Sequence, residues 1–145
     1  MPSRTKRPAN KLLRLLKEPA FQRVAAKLKL SRLRAKDILY KPNQRIHTVY
    51  FPETVVICQM TVMENGDTLE TATVGLEGAS WISASIGAPS MPCETVVATG
   101  GEYSAVTAER HRHDASRMSL QRAAQTVWLR RIGRASCRER VCLVV

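Results

Sequence analysis

The sequence predicts a mainly β protein, a closed barrel, jelly roll or sandwich, with short helices before the strands and one long helix after them. Three observations carry this. Short β-rich runs punctuated by turn residues fill the middle of the 145-residue chain. Asn65-Gly66 separates two of these runs, a strong local hairpin signal. Apolar residues at helical spacing are confined to the two ends. With 44% apolar and 24% charged residues the chain has a globular composition. A single domain of this size buries roughly two-thirds of its unfolded surface.

The elements follow in order. Residues 1–9 hold two prolines and three basic residues and read as a flexible basic arm. Asn10 can cap a short helix that buries Leu12, Leu13, Leu15 and Leu16. Pro19 ends that pattern and suits the first turn of a second helix carrying Phe21, Val24 and Ala25. From Leu28 the period shortens: Leu28, Leu30 and Leu33 among Lys29, Arg32 and Arg34 read as a half-buried strand. Residues 37–40 form a strand running into the Lys41-Pro42-Asn43-Gln44 turn, and residues 48–51 form one that stops at Pro52. Residues 55–63 and 68–74 flank Glu64-Asn65-Gly66-Asp67, where Asn-Gly fits a type I′ turn. A loop around Gly75 and Gly78 leads to a strand over 81–86, and two more strands, 94–98 and 103–106, surround Gly100-Gly101. Met118, Leu120, Ala123, Ala124, Val127 and Trp128 then mark one helix over residues 114–131.

Charge is distributed unevenly. Residues 1–45 hold 14 Lys or Arg against two acids, and residues 46–109 hold eight acids and no Lys or Arg. Residues 110–145 hold nine basic residues against two acids. The formal charge of +11 therefore belongs to the ends, so a nucleic-acid partner suits only those. No apolar run approaches the ~18–20 residues that span a bilayer, and no secretory signal follows the basic start. Four irregularly spaced cysteines make no disulfide framework, which fits a reducing cytoplasm.

Residues 10–97 resemble the cyclic-nucleotide-binding domain at the N-terminus of Crp/Fnr-type bacterial transcription regulators. The resemblance rests on Ile38-Leu39-Tyr40-Lys41-Pro42, His47-Thr48-Val49-Tyr50-Phe51-Pro52, Thr61-Val62-Met63-Glu64-Asn65-Gly66 and Val74-Gly75-Leu76-Glu77-Gly78. These match, in order and separation, stretches of the family that read LY.PG, VYFP, TVMEDG and VG.EG. The resemblance implies a double-stranded β-helix, or jelly roll, over residues 10–113 with short N-terminal helices. It also implies a long dimerisation helix over 114–131 and a helix-turn-helix DNA-binding domain beyond it. Residues 132–145 are set aside, because residues 132–141 resemble the conceptual translation of a sequencing adaptor. The expected protein is thus a cytoplasmic effector-sensing domain, truncated before its DNA-binding domain. Its expected partners are a second copy through Leu120, Ala124, Val127 and Trp128, an unidentified small-molecule effector, DNA only through the missing domain, and no membrane. The alternative is a stand-alone nucleic-acid-binding module that uses the basic termini.

The resemblance also places a candidate ligand pocket at Gly78, Ile82, Ser83, Cys93, Glu94 and Thr95. In nucleotide-binding members a Gly-Glu pair and an Arg hold the ligand; here these positions read Ile82-Ser83 and Cys93 or Glu94. Without Lys or Arg between 46 and 109, and with Glu94 opposing a phosphate, cyclic nucleotide is disfavoured and no cofactor is expected. Cys58 and Cys93 are too few to ligate an iron–sulfur cluster and read as a buried strand residue and a loop thiol. His47, His111 and His113 lack the companions of a metal site and read as solvated. Ser80, Ser83 and Ser85 lack the setting of a nucleophile, so an enzyme is not expected.

Overall fold

The computed structural model describes residues 7–80 and 90–107. The elements are α1 (Lys11–Arg14), α2 (Glu18–Ala25), β1 (Lys29–Leu33), β2 (Ile38–Tyr40), β3 (Thr48–Pro52), β4 (Val56–Val62), β5 (Thr68–Val74), β6 (Glu94–Thr99) and β7 (Gly101–Thr107). They build two antiparallel sheets, β1-β7-β3 and β2-β6-β4-β5. The chain crosses between sheets at β1–β2, β2–β3, β3–β4 and β6–β7, which is how a roll closes rather than a meander. The expected strand over 81–86, the helix over 114–131 and the tail over 132–145 lie outside the described residues.

Asn10 starts α1 as expected. Its Oδ1 accepts from the amides of Leu12 (3.0 Å) and Leu13 (3.2 Å). Its Nδ2 donates to the carbonyls of Pro52 and Gly78, both at 2.8 Å. A fully buried amide thus spends both ends, joining the helix, the end of β3 and the loop at Gly78. Pro19 sits in the first turn of α2, where a missing N–H costs nothing. Leu12, Leu13, Leu16, Phe21 and Val24 pack on Val49 and Phe51 of β3 and Val106 of β7. Leu15 does not join them: it is 45% exposed, because four successive leucine-rich positions cannot all face one side of a single helical turn.

Strand alternation divides β3 between two cores. Val49 and Phe51 face the helices, while Tyr50 faces into the roll and contacts both interior clusters. Pro52 is the last residue of β3 rather than the residue beyond it, paired with Tyr103. It is tolerated at a strand end where its position needs no donor. β1 is a strand but mostly solvated: Leu33 packs into the roll and Leu28, just before the strand, against the helix core, while Leu30 is exposed. A register shift between Ile38 and Tyr40 lets Leu39 and Tyr40 both pack inside while Ile38 stays outside.

The β4–β5 hairpin forms, but not with the type I′ turn that Asn-Gly suggested. Within the turn only Gly66 has positive φ (+87°), and its amide donates to the Met63 carbonyl at 2.9 Å. Met63 donates to the Asp67 carbonyl at 2.7 Å, which encloses a three-residue loop. This is a type I turn followed by a glycine bulge. The Asn65 side chain accepts from the Asp67 amide, which satisfies the loop locally and leaves Asn65 at negative φ.

At the crossover between β6 and β7, Gly101 lies against the start of β4. A methyl group there would come within 2.6 Å of both Thr54 Oγ1 and the Val55 amide nitrogen. Gly101→Ala is expected to lose roughly 2 kcal/mol or more in urea unfolding, in the range of overpacked sites. Gly66→Ala, with open space around it, is expected to lose only about 1 kcal/mol for its positive φ.

Candidate functional site

Cross-strand partners share a face, so the register assigns the interior of the roll. One interior row of the four-stranded sheet runs Tyr40, Thr95, Gln59, Ala72. Across the roll, Tyr50 stands beside Ala105 of β7 and bridges to Ser80, whose amide donates to the Tyr50 carbonyl at 2.8 Å. Tyr40 and Tyr50 meet edge to face with ring centroids 6.1 Å apart, and Tyr50 and Tyr103 lie at 5.3 Å. Tyr50 therefore links the two sheets through aromatic contact.

The Tyr40 hydroxyl is fully engaged. It accepts from the amides of His47 (3.0 Å) and Thr48 (2.7 Å) and donates to the Thr48 carbonyl (3.1 Å), fixing the β2–β3 turn. Tyr40 packs in one buried cluster with Ile46, Met91 and Cys93. Burial raises the Tyr50 phenol to about 12, with the neighbouring Tyr40 and Tyr103 adding to the effect.

Four polar residues are fully buried among the described residues: Asn10, Ser80, Thr95 and Ser104. Asn10 is satisfied as above, and Ser104 Oγ donates to Glu53. The other two differ. Among the described residues, Ser80 Oγ and Thr95 Oγ1 have no hydrogen-bond partner. By register they belong to facing walls, one beside Tyr50 and the other beside Tyr40. A buried hydroxyl without a partner costs about 1–3 kcal/mol, so two of them in one interior are unspent binding capacity.

The residues expected at the site separate accordingly. Thr95 and Cys93 face inward, and burial raises the Cys93 thiol above its usual range. Gly78 is a loop anchor, donating to the Gly75 carbonyl and accepting from Asn10. Glu94 occupies the opposite face, in a row with Met60 and Glu70. The expected repulsion between Glu94 and an interior anion is therefore removed by alternation. Ile82 and Ser83 lie outside the described residues, as do Leu120, Ala124, Val127 and Trp128. Cys58 is buried on the outer row near Glu70 and Thr73; burial first, then Glu70, raises its thiol. His47 is exposed, and His111 and His113 lie outside the described residues. Tyr50 and Gln59 are not singled out as site residues from sequence, and Ser80 is weighed there only as a nucleophile. The signal for Tyr50 was its place between Val49 and Phe51, which in a strand must face the other way.

No family model matches the sequence, and no curated protein matches it. Solved structures do resemble it. The chain is similar to a cyclic nucleotide-binding domain from Methylobacillus flagellatus, with TM-score 0.67, 7% identity, and 86% of this chain and 76% of that one covered. It is similar to the sensor domain of the transcriptional regulator DNR from Pseudomonas aeruginosa, with TM-score 0.60, 9% identity, and 84% and 78% covered. It is similar to the regulatory subunit of a cAMP-independent protein kinase A from Trypanosoma brucei, with TM-score 0.65 and 13% identity. That match covers 88% of this chain but only 44% of the kinase subunit, so the chain spans less than half of it. The fold is that of the cyclic-nucleotide-binding jelly roll, mainly β with antiparallel sheets.

The raised Tyr50 pKa has a sign. A phenol harder to ionise when folded costs nothing below pH 10, and the folded state loses stability as pH rises from about 10 to about 12. Tyr50→Phe is expected to flatten that alkaline loss in a pH series of thermal melts. An unchanged alkaline slope would place the burden on another group.

Proposed function

We propose that this chain is the effector-sensing domain of a Crp/Fnr-like transcription regulator. The sensor domain of DNR and the other similar structures support the sensing role through the fold. The observation that carries it here is the pair of buried, unpartnered hydroxyls on facing walls, Ser80 and Thr95. They offer hydrogen bonds in an interior where no buried described residue is Lys, Arg, Asp or Glu. That chemistry favours a small, uncharged polar effector over a cyclic phosphate, whose charge would lie in a low-dielectric space without a cation. Met91 and Cys93 border the same interior, so an occupant would press on the Tyr40–Tyr50 contact that joins the sheets. Differential packing of the sheets is the physical route from effector to response. In this reading the response passes to a dimer seam at Leu120, Ala124, Val127 and Trp128, and then to a DNA-reading domain.

Thermal-shift screening of the full chain against small polar metabolites tests the effector role, with cyclic AMP and cyclic GMP included. Thr95→Val is expected to raise the melting temperature without ligand, since it removes a buried orphan hydroxyl at similar volume. The same variant is expected to lose the shift given by whichever neutral metabolite stabilises the wild type. A shift that survives Thr95→Val, or micromolar binding of either cyclic nucleotide in calorimetry, contradicts the reading. Sedimentation velocity of the full chain is expected to give a dimer; a clean monomer at tens of micromolar (on the order of concentrations where weak seams form) would remove the proposed seam.

A further inference from the structure

The N-terminal charge concentration is not used by an effector pocket, and the fold gives it a shape. β1 and β2 are the outermost strands of their sheets and are consecutive in the chain. They continue as one bent ribbon antiparallel to β7 and β6, turning the corner over residues 34–37. The corner is fixed: the Arg34 amide donates to Asp37 Oδ2 and the Lys36 amide to the Val97 carbonyl, each at 2.8 Å, with Lys36 held at φ 72°. Exposed Lys29, Arg32, Arg34 and Lys36 therefore follow the ribbon edge, and exposed Lys41 and Arg45 continue beyond it.

Little opposes these charges. Arg32 pairs with Glu102 at 3.1 Å. Asp37 is the only acid from 27 to 45, and its carboxylate is committed to the corner. Lys29, Arg34, Lys36, Lys41 and Arg45 have no ion pair among the described residues. Glu64, Asp67 and Glu70 lie at the β4–β5 hairpin, and β5 is the opposite edge of the four-stranded sheet from β2, while Glu94 and Glu102 lie on β6 and β7 beside the ribbon. The ribbon edge carries net positive charge and the hairpin at the other edge of the four-stranded sheet net negative charge, which favours one orientation for a polyanion.

We infer that the β1–β2 ribbon edge is a docking surface for the phosphate backbone of nucleic acid, independent of base sequence. A track one ribbon wide suits a rod-like polyanion. A bilayer would need an apolar patch beside the cations, and the ribbon's exposed apolar side chains, Leu30 and Ile38, belong to different sheets. The bland role of edge lysines is to prevent strand-to-strand aggregation. That role predicts no particular affinity for DNA.

Fluorescence anisotropy of a labelled mixed-sequence duplex with the full chain, titrated across salt, separates these. The wild type is expected to bind in the micromolar range at low salt and to weaken steeply as salt rises. Lys29→Gln/Arg34→Gln/Lys36→Gln/Lys41→Gln removes four contacts, and is expected to make the log–log salt slope shallower by about 3.6, at roughly 0.9 per phosphate. If the fourfold variant fails to give the wild-type circular dichroism spectrum, the pairs Lys29→Gln/Arg34→Gln and Lys36→Gln/Lys41→Gln are each expected to give about half that change. Arg130→Gln/Arg131→Gln is expected to leave most of the slope in place. The inference is overturned by absent duplex binding at low salt, by an unchanged slope in the ribbon variants, or by loss confined to Arg130→Gln/Arg131→Gln. Binding to phosphatidylserine vesicles in preference to the duplex also overturns it. None of these results bears on the thermal-shift response to effectors.

Discussion

β3 has to serve two cores at once, and the rest of the structure follows from that. Its alternation sends Val49 and Phe51 to the helices and Tyr50 into the roll. A one-residue slip would exchange them, driving two large apolar side chains into the roll and a phenol into the helix core. The Pro52 carbonyl, at the end of the strand, accepts from the buried Asn10 amide, which also caps α1 and holds Gly78. Helix docking and strand register are thus set by the same short segment.

Inside the roll the consequence is an interior closed by rings rather than by charges. Tyr50 contacts Tyr40 on one sheet and Tyr103 on its own, and the Tyr40 hydroxyl is consumed by the turn that precedes β3. What remains polar and unspent is at Ser80 and Thr95. Charge is kept outside, with the bases on the β1–β2 edge and the acids at the β4–β5 hairpin and on the outer row of Glu94 and Glu70. Interior chemistry and surface electrostatics are therefore separable in this molecule, and each can be altered without the other.

Much of the architecture is legible in the sequence because it is written in local rules. Asn10 as a cap, Pro19 in a first turn, and β-rich runs broken by Asn-Gly and Gly-Gly each have one physical meaning. What is not legible depends on partners distant in the chain. Leu15 and Leu30 look buried by type and are exposed, because burial is decided by which face the neighbouring element covers. The turn at Asn65 is changed by a side-chain hydrogen bond to Asp67 that composition does not specify. At the candidate site, Thr95 and Cys93 could be placed from the resemblance, yet the outward direction of Glu94 needed the register of β6 against β4. Ser80 gained significance only when its bridge to Tyr50 placed it opposite Thr95. The four-stranded and three-stranded sheets had to be known before two hydroxyls far apart in sequence could be seen as one interior.

The proposed sensing role requires a guest at these two hydroxyls. A high-resolution crystal structure of the full chain measures this directly. Ordered density, from water or a small molecule, is expected within hydrogen-bonding distance of both Ser80 Oγ and Thr95 Oγ1. A dry interior, with both oxygens unpartnered and the Tyr40–Tyr50 contact unchanged, would contradict it.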